Sequence, residues 1–453
     1  MLTLRRYGTG EGRAQVSSER APPSASPPGE PPPARSVWDA VAPPGNPRAV
    51  AISGVFLTSG TALWWWLFAI LLHEGGLSLL EIGVVIAAGT ATSLLSAIAG
   101  GWIADIAGRK PVILTATLMN AVGTFFLAET VATSVLSFGL VLGVYGFVAF
   151  GGTFASGSLR ALLFESSTAD RRGAAMSAPY VLPSLVAIPM PFIGSLLSRA
   201  IGWPVVFLVS GALLCVSFTV YALLLEEPRG TLQRPAPRRD PRPRRWAWWM
   251  LGSPVVALFG VYSFIGFGQG ICAPFMGLYF TRYLGASVPY FGLIASVEMA
   301  LVGGLAWVSG RLVDRIGALP TMSASLGGEA AIVTGMVFVR NLLLAGGLYE
   351  AWSAVDWFDL TAPSVFLGTN VTTERRATVI GAFGTVTRLP TLVAPELGGY
   401  LFGIFPPLIL VAYATVAATS AAFLVFLRTV FPSPPRTPLG QSTRGRDPAA
   451  ATE

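Results

Sequence analysis

Between Arg48 and Arg428 the chain is a succession of long apolar runs separated by short polar interruptions. Most runs approach or exceed the roughly 20 apolar residues that a helix needs to cross the hydrocarbon core of a bilayer. Twelve can be placed, at 48–72, 78–103, 111–130, 134–158, 174–198, 203–225, 250–280, 288–310, 319–339, 341–364, 377–403 and 405–428. The pattern predicts an all-α polytopic membrane protein with twelve transmembrane helices. Six runs lie on each side of a solvated stretch, Glu226 to Arg245, that sets arginines among prolines. The expected organisation is therefore two six-helix bundles, 48–227 and 250–429, joined by a basic linker at 228–249. Residues 1–47 carry ten prolines between Pro22 and Pro47, and residues 430–453 are similarly polar. Neither can bury a core, so both are expected to be disordered tails. Arg5-Arg6 is followed by no apolar stretch, so a cleaved export signal is not expected.

Composition sharpens this picture by exclusion. Of 453 residues, 53% are hydrophobic and only 12% charged, against about 25% charged in a soluble domain. That balance excludes an ordinary cytosolic enzyme and a disordered protein. Cys215 and Cys272 both fall in apolar runs, which suits small buried residues and no disulfide framework. The single histidine, His73, cannot anchor a His-based metal site, and no cofactor is expected. The net charge of +7 finds its explanation in topology. With the N-terminus inside, 26 lysines and arginines fall in inner segments and 3 in outer ones. This bias places both termini in the cytoplasm of a multi-pass plasma-membrane protein. The basic residues then face anionic inner-leaflet lipid, and no nucleic-acid partner is needed to account for them.

The two halves repeat. Gly101, Asp105 and Gly108 recur as Gly310, Asp314 and Gly317, each 209 positions later. Asp170-Arg171-Arg172 is matched by Glu374-Arg375-Arg376, and the run from Leu182 to Ala187 by that from Leu389 to Ala394. Each pair occupies the same place in its half. Two parallel halves of six helices describe a known transporter architecture. The Gly101-x-x-x-Asp105-x-x-Gly108-Arg109-Lys110 segment between runs 2 and 3 resembles the loop 2–3 signature of the major facilitator superfamily, over roughly residues 48 to 428. Phe154 through Glu165 and Asn370 through Thr378 also resemble facilitators of the drug-efflux kind.

The resemblance implies a gate. Glycines at 101 and 108 would allow close helix approach and a tight turn. Asp105, beside a helix end, would accept orphan backbone N–H groups and meet a favourable dipole. Arg109 would pair with acids across the inner gate, with Glu165 and Asp170 as partners. Asp314 heads a second, weaker clamp, because positions 318 and 319 carry no basic residue.

Ionisable groups at bilayer depth are expensive and therefore functional candidates. The first half is nearly free of them. In the second, Glu298, Glu329, Glu350 and Arg388 lie about nine to twelve residues from a span end, near the midplane at roughly 1.5 Å per residue. By the superfamily pattern Glu298, Glu350 and Arg388 reach the central cavity, and Glu329 faces a neighbouring helix. A carboxyl group buried in apolar surroundings favours its neutral form and can carry a proton. Glu298, Glu350 and Asp356 are thus proton-coupling candidates. A structural Glu350–Arg388 ion pair is the competing reading. Arg388, Gln269, Trp65 and Trp352 are candidates for substrate contact. Trp64-Trp65-Trp66 spreads over about 200° of a helix, so not all three can face a cavity. Asn120 reads as helix–helix glue. Pro183, Pro189, Pro191, Pro390 and Pro395 are expected to bend runs 5 and 11.

The resulting expectation is a monomeric, non-enzymatic secondary transporter whose partners are a small-molecule substrate, protons and the bilayer. No Walker A, His-Glu-x-x-His or Gly-x-Ser-x-Gly segment occurs. Proton-coupled antiport that effluxes an amphipathic or drug-like compound leads. Uptake of a sugar, organic acid or other nutrient is the alternative, and a non-transporting receptor or scaffold is a reading of another class. Run 4 lacks the arginine that many proton-driven family members carry there.

Overall fold

A computed structural model describes residues 42–133, 136–167, 172–227, 254–359, 361–371 and 373–430. The two tails, except for 42–47 and 430, and the basic linker lie outside the described residues, as does Asp170.

Twelve helical rods result, and no strand occurs among the described residues. The first half comprises α1 (Asn46–Glu74), α2 (Leu79–Ala107), α3 (Arg109–Ala132), α4 (Phe138–Glu165), α5 (Ala174–Ala187 with Met190–Ala200) and α6 (Trp203–Leu224). The second comprises α7 (Pro254–Tyr283), α8 (Val288–Ile316), α9 (Ala318–Val337), α10 (Leu342–Asp356, resuming at Ala362–Asn370), α11 (Thr373–Val386 with Ala394–Ile404) and α12 (Leu408–Val430). Seven rods are long and apolar enough to cross a membrane as single helices, and α5 makes an eighth if its two pieces, bent by 44°, count as one. The remaining four are α8 to α11, which carry Glu298, Glu329, Glu350, Asp356 and Arg388. α10 and α11 are each interrupted, and the described apolar stretch of α8 is Val288–Leu301.

Most boundaries follow the apolar runs. Four rods run on past them by four residues or more: α2 past residue 103 to Ala107, α4 past 158 to Glu165, α8 past 310 to Ile316, and α10 past 364 to Asn370 through the 3-10 turn Trp357–Asp359. Loss of apolarity does not end a helix; loss of backbone hydrogen bonding does. The prolines act where expected. α5 bends at Ile188–Pro189, and Pro390 lies in the 3-10 segment Leu389–Leu392 that interrupts α11. α1 is also interrupted, at the 3-10 turn Trp65–Leu67.

The halves meet chiefly at the end remote from Asn46 and Val430. There the outer parts of α2 and α11, α5 and α8, and α1 and α7 pack against each other. The approach of α2 to α11 is backbone to backbone. A Cβ at Gly83 would lie 2.4 Å from the Pro395 carbonyl oxygen, and one at Gly399 would lie 2.2 Å from that of Leu79. Between α5 and α8, the Ser296 hydroxyl accepts the Phe192 N–H at 3.1 Å. One buried apolar cluster continues across this junction, from Phe68 and Tyr145 to Phe280 and Tyr349. Close fit matters more here than apolarity, because lipid tails offer helices an equally apolar surrounding. Toward the near end the halves separate around a cleft.

Replacing Gly399 with Leu should prevent the far end from closing. In a Cys215→Ser, Cys272→Ala background, spin labels at Thr133 and Phe405 should move apart relative to the parent; an unchanged distance distribution would show that the α2–α11 contact does not hold this end shut.

Candidate functional site

The repeated glycines build a corner at the near end. Gly108 ends α2 and opens α3 with φ +96°, and Gly317 does the same between α8 and α9 with φ +97°. A side chain at 108 would be strained by that φ. Gly101 plays no such part, since a Cβ there meets nothing within 4 Å. The close approach of α2 to α4 belongs to Gly100, where a Cβ would fall 1.7 Å from the Phe154 carbonyl oxygen. One helical residue rotates a side chain by about 100°, which decides between neighbours.

The anion at the start of α3 is also not the expected one. Glu227, just past α6, accepts the backbone N–H of Arg109 at 2.7 Å and that of Lys110 at 2.6 Å. Asp105 instead accepts from Arg109 Nη1 at 2.8 Å, one turn along the chain. Its place in the last turn of α2 sets it four residues from the guanidinium, while Glu227 comes in from α6 onto the helix end. Arg109 Nη2 reaches Glu165 at 3.3 Å, and Lys110 Nζ donates to the Ala222 carbonyl at 3.0 Å. These bonds tie α2, α3, α4 and α6 together within the first half. Arg109 therefore joins elements of one half in this conformation and does not cross to the other. Glu227 was hidden in the sequence because Glu226-Glu227-Pro228 reads as the start of the linker. Asp314 lies in the last turn of α8 at the corresponding corner.

The cleft between the halves encloses about 630 Å³. Ile86 and Thr90 of α2 form part of one wall, and α7, α10 and α11 supply the polar wall with Gln269, Asp356 and Arg388. Gln269 Nε2 donates to Asp356 Oδ1 at 3.0 Å. Arg388 sits where α11 breaks, exposed to the cleft. Its guanidinium makes no hydrogen bond or ion pair among the described residues.

Behind this wall α10 carries a second set of polar contacts. Tyr349 Oη donates to Glu298 Oε2 of α8 at 2.9 Å. Both carboxylate oxygens of Glu350 are buried without a hydrogen-bond partner among the described residues. The Glu350–Arg388 ion pair considered from sequence is thus not formed. Glu329 on α9 is fully buried and accepts from Tyr413 of α12, from Trp352 Nε1 at 3.4 Å and from Ser325 at 3.5 Å. It faces neighbouring helices, as expected. Trp352 does not face the cleft. It is 7% exposed, spends its N–H on Glu329 and packs between the Tyr349 and Tyr413 rings, at 5.8 and 4.9 Å. The tyrosines that hold these carboxyl groups carried no distinguishing signal, because their partners lie on other helices.

The tryptophan triplet divides. Trp64 is buried in the first half, donating to Ser210 Oγ at 3.2 Å. Trp65, 53% exposed, and Trp66 line a smaller recess of about 270 Å³ with Phe68 and Tyr145. The 3-10 turn redirects these side chains away from the spread of a continuous α-helix. Asn120 is buried beside Gly152 of α4, where a Cβ would meet its Nδ2 at 3.2 Å.

Glu227→Ala leaves two N–H groups at the α3 start without their acceptor. It should cost about 1–2 kcal/mol, the scale of a lost helix cap, read as a lower thermal-unfolding midpoint in detergent. Asp105→Asn removes a largely exposed ion pair and should cost less than about 1 kcal/mol; the reverse ranking would contradict these roles.

The sequence matches the family model of the Major Facilitator Superfamily twice, over residues 50–265 and 258–453. No curated protein sequence matches it significantly. Among solved structures, a mutant form of the nucleoside transporter NupG superposes with a TM-score of 0.71 at 13% identity, covering 84% of this chain and 100% of that one. The D-xylose-proton symporter gives 0.69 at 14% identity, covering 83% and 96%. A bacterial homolog of the human lysosomal transporter Spinster, in an inward-facing and occupied conformation, gives 0.64 at 16% identity, covering 84% and 94%. Identities this low establish the shared fold. The doubled match, spanning both six-helix halves, establishes more: this chain belongs to the Major Facilitator Superfamily.

Proposed function

We propose that this protein is a secondary active transporter that moves a small organic compound across the plasma membrane by alternating access. The observation that carries the reading is the cleft between the halves: closed at the far end by backbone-to-backbone packing, and walled at mid-helix by Gln269, Asp356 and Arg388. With the positively charged segments inside, this conformation faces the cytoplasm. The halves rock about the cleft, the far-end contacts part, and the near end closes. The Asp105–Arg109–Glu165 cluster, supported by Glu227, holds the near-end corner rigid so that the first half moves as one body.

Protons drive the cycle through Glu298, Glu350 and Asp356. Both oxygens of Glu350 are buried without a hydrogen-bond partner among the described residues, which leaves this carboxyl group open to carry the proton. Opening the far end changes its access to water and so releases or loads the proton. Proton-coupled efflux of an amphipathic compound is the primary direction. The unpaired Arg388 favours a second reading, uptake of an organic acid, through the same cleft. The sign of flux under an imposed pH gradient separates the two. The protein acts as a monomer with both termini in the cytoplasm.

In proteoliposomes, substrate movement should follow the imposed pH gradient and collapse with a protonophore. Glu298→Gln and Glu350→Gln should each reduce gradient-driven flux at least tenfold while leaving downhill exchange largely intact. Full gradient-driven flux in both variants would overturn proton coupling through these residues. Asp105→Asn should slow transport without lowering the yield of folded protein; a normal rate would remove the near-end cluster from the cycle.

A further inference from the structure

We propose that the cleft takes an amphipathic organic monoanion, its acid group held by Arg388 and its apolar body in the aromatic recess beyond Ala273 and Pro274. The proposal rests on the transport reading above and narrows its substrate.

Arg388 lies midway along α11, exposed to the cleft and without a partner among the described residues. A guanidinium stays charged at any relevant pH, and its planar fork matches a carboxylate with two parallel hydrogen bonds. Holding such a charge at bilayer depth costs a few kcal/mol or more, and no ion pair or hydrogen bond among the described residues offsets it. Several of the other polar groups nearby are already engaged. Asp356 accepts from Gln269 at 3.0 Å. The Thr387 hydroxyl donates to the Phe383 carbonyl at 2.7 Å, and that of Thr391 to the Arg388 carbonyl at 2.6 Å. With Asp356 in the proton-carrying role proposed above, the charge left on the cleft wall is that of Arg388, and a cationic ligand would be placed against it.

The apolar end is equally defined. The recess of about 270 Å³ shares Ile86, Ala273 and Pro274 with the cleft, so the two adjoin at these residues. Its walls include Trp66, Phe68 and Tyr145 from the first half and Met276, Phe291 and Tyr349 from the second, and no charged residue among those described lines it. The hydroxyl of Tyr349 is turned to Glu298. Along α7, Gln269 marks the polar end and Met276 the apolar end, roughly 10 Å apart at 1.5 Å per residue. A ligand bridging both needs an aryl or alkyl body and an acid group at about that separation. Because both halves wall the recess, such a body also touches the surfaces that must part when the far end opens.

The test uses the full chain in lipid nanodiscs and calorimetric titration with 4-phenylbutyrate, its uncharged amide, 4-phenylbutylamine and butyrate. The acid with the ring should bind at least tenfold tighter than the other three. Arg388→Gln should bring 4-phenylbutyrate down to the level of the amide while leaving the amide itself unchanged, and Arg388→Lys should recover part of the loss. Thermal unfolding of each variant controls for folding. The proposal is overturned if the amide or the amine binds as tightly as the acid, if Arg388→Gln leaves the acid unaffected, or if none of the four binds. Binding as stated with no movement of the acid into proteoliposomes would count against the transport reading alone. Transport of the amine in preference to the acid would sink this proposal and leave the transport reading standing.

Discussion

Hydrocarbon offers no hydrogen bonds, so every polar group carried into it must be satisfied within the protein or kept for something that arrives. Most of this chain obeys the first option. Helices satisfy their own backbones, and threonines such as Thr117 and Thr124 donate to a carbonyl one turn back. Glu329, the most deeply buried acid described, is surrounded by the donors of Tyr413, Trp352 and Ser325. Against that background the exceptions stand out. The carboxyl group of Glu350 and the guanidinium of Arg388 lack partners among the described residues. They occur in the half that also carries Glu298 and Asp356, and the cleft opens beside them.

The repeat in the sequence is a repeat of frame and not of chemistry. Gly108 and Gly317 take nearly the same positive φ at the same corner of each half, so the same turn is built twice. What surrounds the turn has diverged. In the first half, Glu227, Asp105 and Glu165 gather Arg109 and bind four helices into one block. The second half keeps Arg311, Asp314 and Arg315 near its corner and carries further ionisable groups at mid-helix, in the cleft wall and the layer behind it.

The twelve rods, their order, the two-fold repeat and the burden of charge on the second half were all legible in the sequence. So were the helix breaks at Pro189 and Pro390; Arg109 does reach Glu165, but within the first half and not across the gate as expected. Three assignments failed for a common reason. The close glycine is Gly100 and not Gly101, the acid on the α3 start is Glu227 and not Asp105, and Trp352 serves Glu329 and not the cleft. Each depended on rotation about a helix axis or on which distant element arrives, and a linear pattern resolves neither to one residue.

The sequence by itself determined how the chain divides into apolar rods and two matching halves, because apolar length and glycine corners are local properties that act wherever the helix sits. Only the tertiary structure decided which buried charges are paired. Glu329 and Glu350 are alike as residues at mid-helix, yet Glu329 finds Tyr413 on α12 and Glu350 finds no hydrogen-bond partner among the described residues. Whether a polar group is satisfied is a property of the helix opposite it. That helix is selected by packing between segments far apart in the chain, so function here was written in contacts and not in composition.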